Sequence, residues 1–294
     1  MTLSELILKL AFSDFEKAAI LKTDKVFKEK HGDLYKELVN SYLESAPTAI
    51  QKIRECSSAL DIYEELLGLW FCLDMACERM YREYKRLNIG DEYFFAGILN
   101  VKRYIKATEK ETERFGIMID IYVRALRHLI ELEAFRIGAF NFEFMEMDKD
   151  AVLGGVEIKK GDRCISLHIP INTDIGDEAV EYDFKRAKDF FKESFGMQFP
   201  AIQLYSWLLH PSLKECLPED SKLVKFQKRF ALYDVQNSPI SPIEYVFGLK
   251  YAEEYKKDKS SVARFPEETT LQKKFKERLI NGEPIGCAKG ITIL

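Results

Sequence analysis

From Leu3 to about Glu133 apolar residues recur at spacings of three and four, which predicts helices almost throughout. Tyr35, Leu38, Val39 and Tyr42 form one such face, and Leu66, Leu69, Trp70 and Leu73 a second. Ile117, Ile121, Leu126 and Leu129 form a third. Pro47 is the only proline before position 170, as expected of helices joined by short polar turns. One such turn is Asn88-Ile89-Gly90-Asp91, with Asp91 the expected N-cap of a helix beginning near Tyr93.

After Phe135 the period changes to two. Alternation from Phe140 to Phe144 predicts a half-buried strand, and Ala151–Lys159 and Arg163–Ile169 predict two more, with Lys160-Gly161-Asp162 as the turn between them. A helix over Asp177–Ser194, an apolar strand over Ile202–Leu209 and a short helix around Ser212–Cys216 follow. Further strands are expected near Phe226–Asp234 and Ile243–Phe247, then a helix over Thr270–Ile280 and a final strand over Cys287–Ile293. The stretch Tyr251–Ala263, rich in Lys, Glu and Ser, reads as a mobile solvated excursion. The fold class predicted is α+β: a helical domain over 1–133, then a mixed sheet flanked by helices over 134–294.

Composition narrows the function. Forty-four basic against 48 acidic residues leave a net charge of −4 in a chain of 294 residues. Neither half is basic, which argues against binding nucleic acid or an anionic membrane. No apolar run is long enough to span a bilayer, and the opening segment, broken by Lys9, does not read as a signal peptide. The cysteines at 56, 72, 77, 164, 216 and 287 lie far apart and read as free thiols, so a cytoplasmic location is expected. The histidines at 31, 128, 168 and 210 have no zinc spacing, and no metal is expected.

Chemistry is sought at the carboxyl ends of the strands, where ligands of open sheets sit. The third strand ends in Leu167-His168-Ile169-Pro170, followed by Ile171-Asn172-Thr173-Asp174-Ile175-Gly176 and a helix. Alternation puts Cys164, Ser166 and His168 on one face. His168 is therefore either a general base or a buried, hydrogen-bonded histidine that orders the loop. The fourth strand carries Tyr205-Ser206-Trp207-Leu208-Leu209-His210-Pro211 without a nucleophile elbow, so the Ser206 hydroxyl is a candidate for orienting substrate or protonating a leaving group. Trp207 either packs on a covering helix or lines a pocket. There is no Gly-x-Gly-x-x-Gly or Walker run.

His168-Ile169-Pro170, Arg186-Ala187-x-x-Phe190-Phe191 and Ser206-Trp207-Leu208-Leu209-x-Pro211-x-Leu213 occur in this order. Leu217-Pro218-x-x-Ser221, Phe226-Gln227-x-x-Phe230, Val246-Phe247 and Pro266-x-x-Thr269-x-Leu271-Gln272 follow them. Together, and over nearly the whole chain, they resemble the acyltransferase-domain proteins that join a helical N-terminal domain to a GNAT-like C-terminal domain. The resemblance implies an N-acyltransferase that takes acyl-CoA, acetyl-CoA first, and passes the acyl group to a small-molecule or peptide amine. It further implies His168 and Ser206 as catalytic residues and Ile169, Ile171, Asn172, Thr173 and Gly176 as the cofactor loop, with Trp207 against the substrate. The loop has Asn172 and Thr173 where such proteins tend to have glycine, and Asp174, Asp177, Glu178 and Glu181 crowd the helix start. That acidic start motivates an alternative, a non-catalytic ligand-binding or scaffold protein on the same core.

Overall fold

In the computed structural model, which describes residues 1–153, 155–170, 173–197 and 201–294, the change of period is also a change of architecture. The chain divides into two compact units, Met1–Ile137 and Gly138–Leu294.

The first unit is helical until its last strand, β1 (Ala134–Ile137). Its centre is the helix Glu64–Met75, buried along almost its whole length, with Trp70 stacked on Phe27 at 4.6 Å between ring centroids. Leu38 and Tyr42 of the first expected face, and all four residues of the second, are buried as the spacing predicts. In the third, Ile117 precedes the helix Ile119–Ile130 and Ile121 is exposed; Val123, Leu126, Leu129 and Ile130 make the face instead. Asp91 lies inside its helix, whose N-cap is Gly90, and pairs with Lys85 at 2.7 Å. Two π-helical turns, Val26–Lys30 and Ala76–Met80, flank a polar cluster in which the buried Asp74 carboxylate accepts from Lys28 Nζ and Tyr35 Oη, each at 2.6 Å.

The second unit is built on a mixed sheet. β2 (Phe140–Glu146) pairs antiparallel with β5 (Arg163–His168), β5 parallel with β6 (Ala201–Ser206), and β6 antiparallel with β8 (Cys287–Ile293). β7 (Ala231–Gln236) completes the edge beside β8. Alternation sends the Phe140, Phe142 and Phe144 rings to one face, where the long helix Asp177–Phe195 buries Phe184 and Phe191 against them at centroid distances of 5.6–6.4 Å. On the other face Met147, Cys164 and Ile291 form a cluster with Ala151 and Ile158.

Those last two belong to a separate hairpin, β3 (Ala151–Leu153) with β4 (Val156–Ile158), where one strand was expected. Three further expectations are corrected. The strand over Ile202–Leu209 stops at Ser206 and gives way to a 3₁₀ turn, Trp207–Leu209, capped by the Ser206 hydroxyl. The strand over Phe226–Asp234 is a helix, Lys222–Gln227, followed by β7; Ser221 caps the helix by accepting from Val224 N–H at 3.3 Å. The strand over Ile243–Phe247 is a helix, Ile240–Phe247. A short apolar run fits either period, and Pro242 is harmless in a first helical turn, where its missing N–H has no partner to lose.

The expected solvated excursion is likewise ordered, as a helix over Leu249–Lys257 and a 3₁₀ segment over Lys259–Arg264. It buries Ala252 and Val262 in one cluster with Ile243, Phe247, Phe265 and Phe275. Its charges mark only its outer surface. The helix Thr270–Ile280 and the strand Cys287–Ile293 have the expected bounds.

Candidate functional site

The parallel ladder between β5 and β6 pairs Ile165 with Ile202 and Ser166 with Gln203, and both strands continue beyond it, to His168 and Ser206. At these carboxyl ends lies a cleft of about 740 Å³. One wall is the end of β5 with its loop, contributing Leu167 through Pro170, Thr173 and Ile175. Leu204 through Ser206 line it from β6, Trp207 and Leu208 from the 3₁₀ turn that follows, Cys287 from β8, and Ser241, Glu244, Tyr245 and Leu249 from the far side. His168, Ile169, Thr173, Ser206 and Trp207 thus share one cavity. Ile171 and Asn172 lie outside the described residues.

The His168 side chain is 52% exposed and its Nε2 lies 2.7 Å from Glu143 Oε2. The buried, loop-ordering histidine is therefore corrected: the ring is held by a carboxylate from β2, and it faces the cleft. Glu143 was missed by the sequence reading. The register places it opposite Ser166, one diagonal step from His168, and only strand pairing reveals that.

Ser206 Oγ accepts from Leu208 N–H at 3.2 Å, so the hydroxyl that caps the 3₁₀ turn also faces the cleft. Trp207 combines its two expected roles. Its ring stacks over Tyr245 at 6.5 Å, meets Phe275 edge-on at 6.2 Å, and still lines the cavity. Burial raises the Cys287 thiol above its ordinary range, and hydrogen bonds with Ser241 and Tyr205 only partly offset this, which disfavours the thiolate form.

Thr173 Oγ1 donates to Pro170 O at 2.7 Å and shapes the loop. Gly176 is the N-cap of the long helix, and its N–H donates to Asp174 Oδ1 at 3.0 Å. That bond, with Lys222 Nζ 3.0 Å from the same oxygen, holds the Asp174 carboxyl below its usual range. The acidic helix start is thus countered by cations from and just after the helix Lys222–Gln227. Arg229 pairs with both Asp177, at 2.8 Å, and Glu181, while Lys225 lies 3.9 Å from Asp177. Reading Phe226–Asp234 as a strand concealed this positive side; the Ser221 cap was its available signal.

Among the described residues, no three His, Cys, Asp or Glu side chains gather as a metal site, and no helix is long and apolar enough to cross a membrane. The arrangement offers a histidine–carboxylate pair, a hydroxyl and an apolar trough in one cleft, with Lys222, Lys225 and Arg229 beside a helix N-terminus. Such groups suit proton transfer to and from an anionic, partly apolar substrate.

Comparison with known proteins gives three findings. The family described as the GNAT-like C-terminal domain matches residues 134–292. No curated protein matches. Solved structures match in fold: an acyltransferase in complex with decanoyl-CoA and teicoplanin is 16% identical at a TM-score of 0.66, covering 99% of this chain and 87% of that one. An acyltransferase in complex with CoA and 10C-teicoplanin is 15% identical at a TM-score of 0.58, covering 99% of each chain. A mutant acyltransferase in complex with octanoyl-CoA is 17% identical at a TM-score of 0.64, covering 99% of this chain and 87% of that one.

Proposed function

The chain belongs to the family of the GNAT-like C-terminal domain, and from that membership we propose that it is an N-acyltransferase, moving an acyl group from acyl-CoA to an amine. The observation that carries the reading is the cleft at the carboxyl ends of β5 and β6, beyond the ladder pairs Ile165–Ile202 and Ser166–Gln203, lined by both His168 and Ser206. Fold alone does not fix chemistry; the polar groups within the cleft support it.

In this reading His168 is the general base. As the amine nitrogen bonds to the thioester carbon, the imidazole takes a proton from it, and Glu143 stabilises the imidazolium. The carbon–sulfur bond then breaks, the Ser206 hydroxyl hydrogen-bonds the departing sulfur, and the proton held by His168 restores the CoA thiol. Ile169, Thr173 and Gly176 are assigned to the side on which CoA lies, with the helix start and Lys222 toward its phosphates, and the expected roles of Ile171 and Asn172 fall outside the described residues. For a phosphate to use the Gly176 N–H, Asp174 must release it. Trp207 packs against the bound substrate.

Acetyl-CoA is the simplest donor. The apolar residues Leu167, Ile169, Leu204, Leu208 and Leu223, and the octanoyl-CoA and decanoyl-CoA held by structural neighbours, support longer chains as well. The acceptor is a small-molecule or peptide amine. The division into a helical domain over 1–133 and an acyl-transfer domain over 134–294 belongs to the same proposal, supported by where the family match begins. Calorimetric titration with acetyl-, octanoyl- and decanoyl-CoA tests it. Saturable heat with any of the three is expected, and no heat at millimolar donor would overturn it. The occupied Gly176 N–H and the paired carboxylates favour the alternative, a non-catalytic binding protein on the same core, which that null result would select.

A further inference from the structure

We propose that the cleft wall made by Ser241, Glu244 and Tyr245, facing Trp207, is the acceptor subsite, and that the acceptor is a protonated amine flanked by an aromatic or apolar group. The inference rests on the acyl-transfer reading and adds to it the chemical class of the acceptor.

Ser241, Glu244 and Tyr245 sit at positions i, i+3 and i+4 of the helix Ile240–Phe247 and so share one face, which lines the cleft. The Tyr245 ring is stacked with Trp207 at an interplanar angle of 25°, and Tyr245 is 60% exposed, an unusual exposure for an aromatic residue with a packed partner. The paired rings offer an amphipathic surface with electron-rich faces.

Glu244 supplies the charge. Among the described residues it is the only carboxylate lining the cleft, and it has no ion-pair partner, whereas Asp174, Asp177 and Glu181 on the opposite side are all paired with cations. Among the described residues no lysine or arginine lines the cleft. The charge is therefore asymmetric across it. On the loop side Lys222, Lys225 and Arg229 are balanced by Asp174, Asp177 and Glu181, whereas an uncompensated carboxylate with aromatic faces lies on the other side, suited to a cation. An amine is an ammonium ion at neutral pH, so it meets attraction at the Glu244 wall, and it releases one proton to solvent before its nitrogen attacks the thioester. A neutral alcohol of the same shape lacks that attraction. The asymmetry thus selects amine over alcohol before any chemistry occurs.

The test is equilibrium binding by ligand-observed NMR, using phenethylamine and its neutral isostere 2-phenylethanol with the full chain. Phenethylamine should bind the unaltered protein more tightly than 2-phenylethanol does. Glu244→Gln should weaken the amine about fivefold or more and leave the alcohol unchanged, while Tyr245→Ala should weaken both. Equal amine affinity in the unaltered protein and Glu244→Gln, or no amine binding at millimolar ligand, overturns the subsite. Acyl-CoA calorimetry on the same samples separates the two readings. Loss of donor heat in every sample removes the donor assignment, and the amine comparison still decides the Glu244 wall.

Discussion

His168 Nε2 and Glu143 Oε2 lie 2.7 Å apart across neighbouring antiparallel strands, with His168 opposite Asn141 and Glu143 opposite Ser166. An ionised carboxylate only accepts, so this contact favours the tautomer with the proton on Nε2 and leaves the basic lone pair on Nδ1.

His168→Ala should therefore lower acyl transfer by about 10²-fold or more, the range typical of a lost general base. Because the side chain is half exposed, Tm should barely move. Glu143→Gln should cost about tenfold in kcat, since the ring then loses the carboxylate that orients it. A large fall in Tm for His168→Ala, with kcat retained in Glu143→Gln, would make the pair a structural clasp.

Gly138 begins the second unit with φ +57°, and a Cβ there would overlap the Asp183 carboxylate. That carboxylate accepts from Ala139 N–H at 2.7 Å, so it has little freedom to retreat. Gly138→Ala should destabilise by about 2–3 kcal/mol in denaturant unfolding. A loss within experimental error would show that Asp183 and its partner shift readily.

His210 is 3% exposed and bonded through both ring nitrogens. Its Nδ1 accepts from Ser212 N–H at 3.3 Å, and its Nε2 lies 3.0 Å from Asn237 Oδ1, a pattern that only the neutral Nε2–H ring completes. Desolvation accordingly holds its pKa below the ordinary 6.5. In the window just below 6.5 the unfolded chain binds the extra proton. This contribution to stability is thus complete above pH 6.5 and is lost as pH falls toward the folded pKa. Tm should drop between pH 7 and pH 5, and His210→Gln should flatten that part of the curve.

In the helical unit, Lys28→Met leaves the Asp74 carboxylate, only 1% exposed, with Tyr35 as its remaining bonded partner. The expected cost is about 3 kcal/mol at neutral pH. Burial already raises the Asp74 pKa, and losing Lys28 raises it further. The folded state then holds a proton that the unfolded state releases, so stability should decline as pH rises from 4 to 7, more steeply than in the unaltered protein. Parallel curves for the two proteins would contradict this.

The helical first half, the strand-bearing second half and the bounds of Thr270–Ile280 and Cys287–Ile293 were legible from the sequence because periodicity and capping are local. The sequence also directed attention to the carboxyl ends of the third and fourth strands, where the structure has a cleft beside His168 and Ser206. Short apolar stretches were not legible: Lys222–Gln227 and Ile240–Phe247 are too brief for period two and period 3.6 to separate, and packing against the core selected helix. The site needed tertiary structure for the same reason. Glu143 reaches His168 through strand register, Lys222 and Arg229 answer the acidic helix start through contacts some 50 positions apart, and Glu244 enters the cleft on a helix that local pattern misread. Local sequence sets the period of each element; which charges meet depends on pairing between distant segments, which no local pattern encodes.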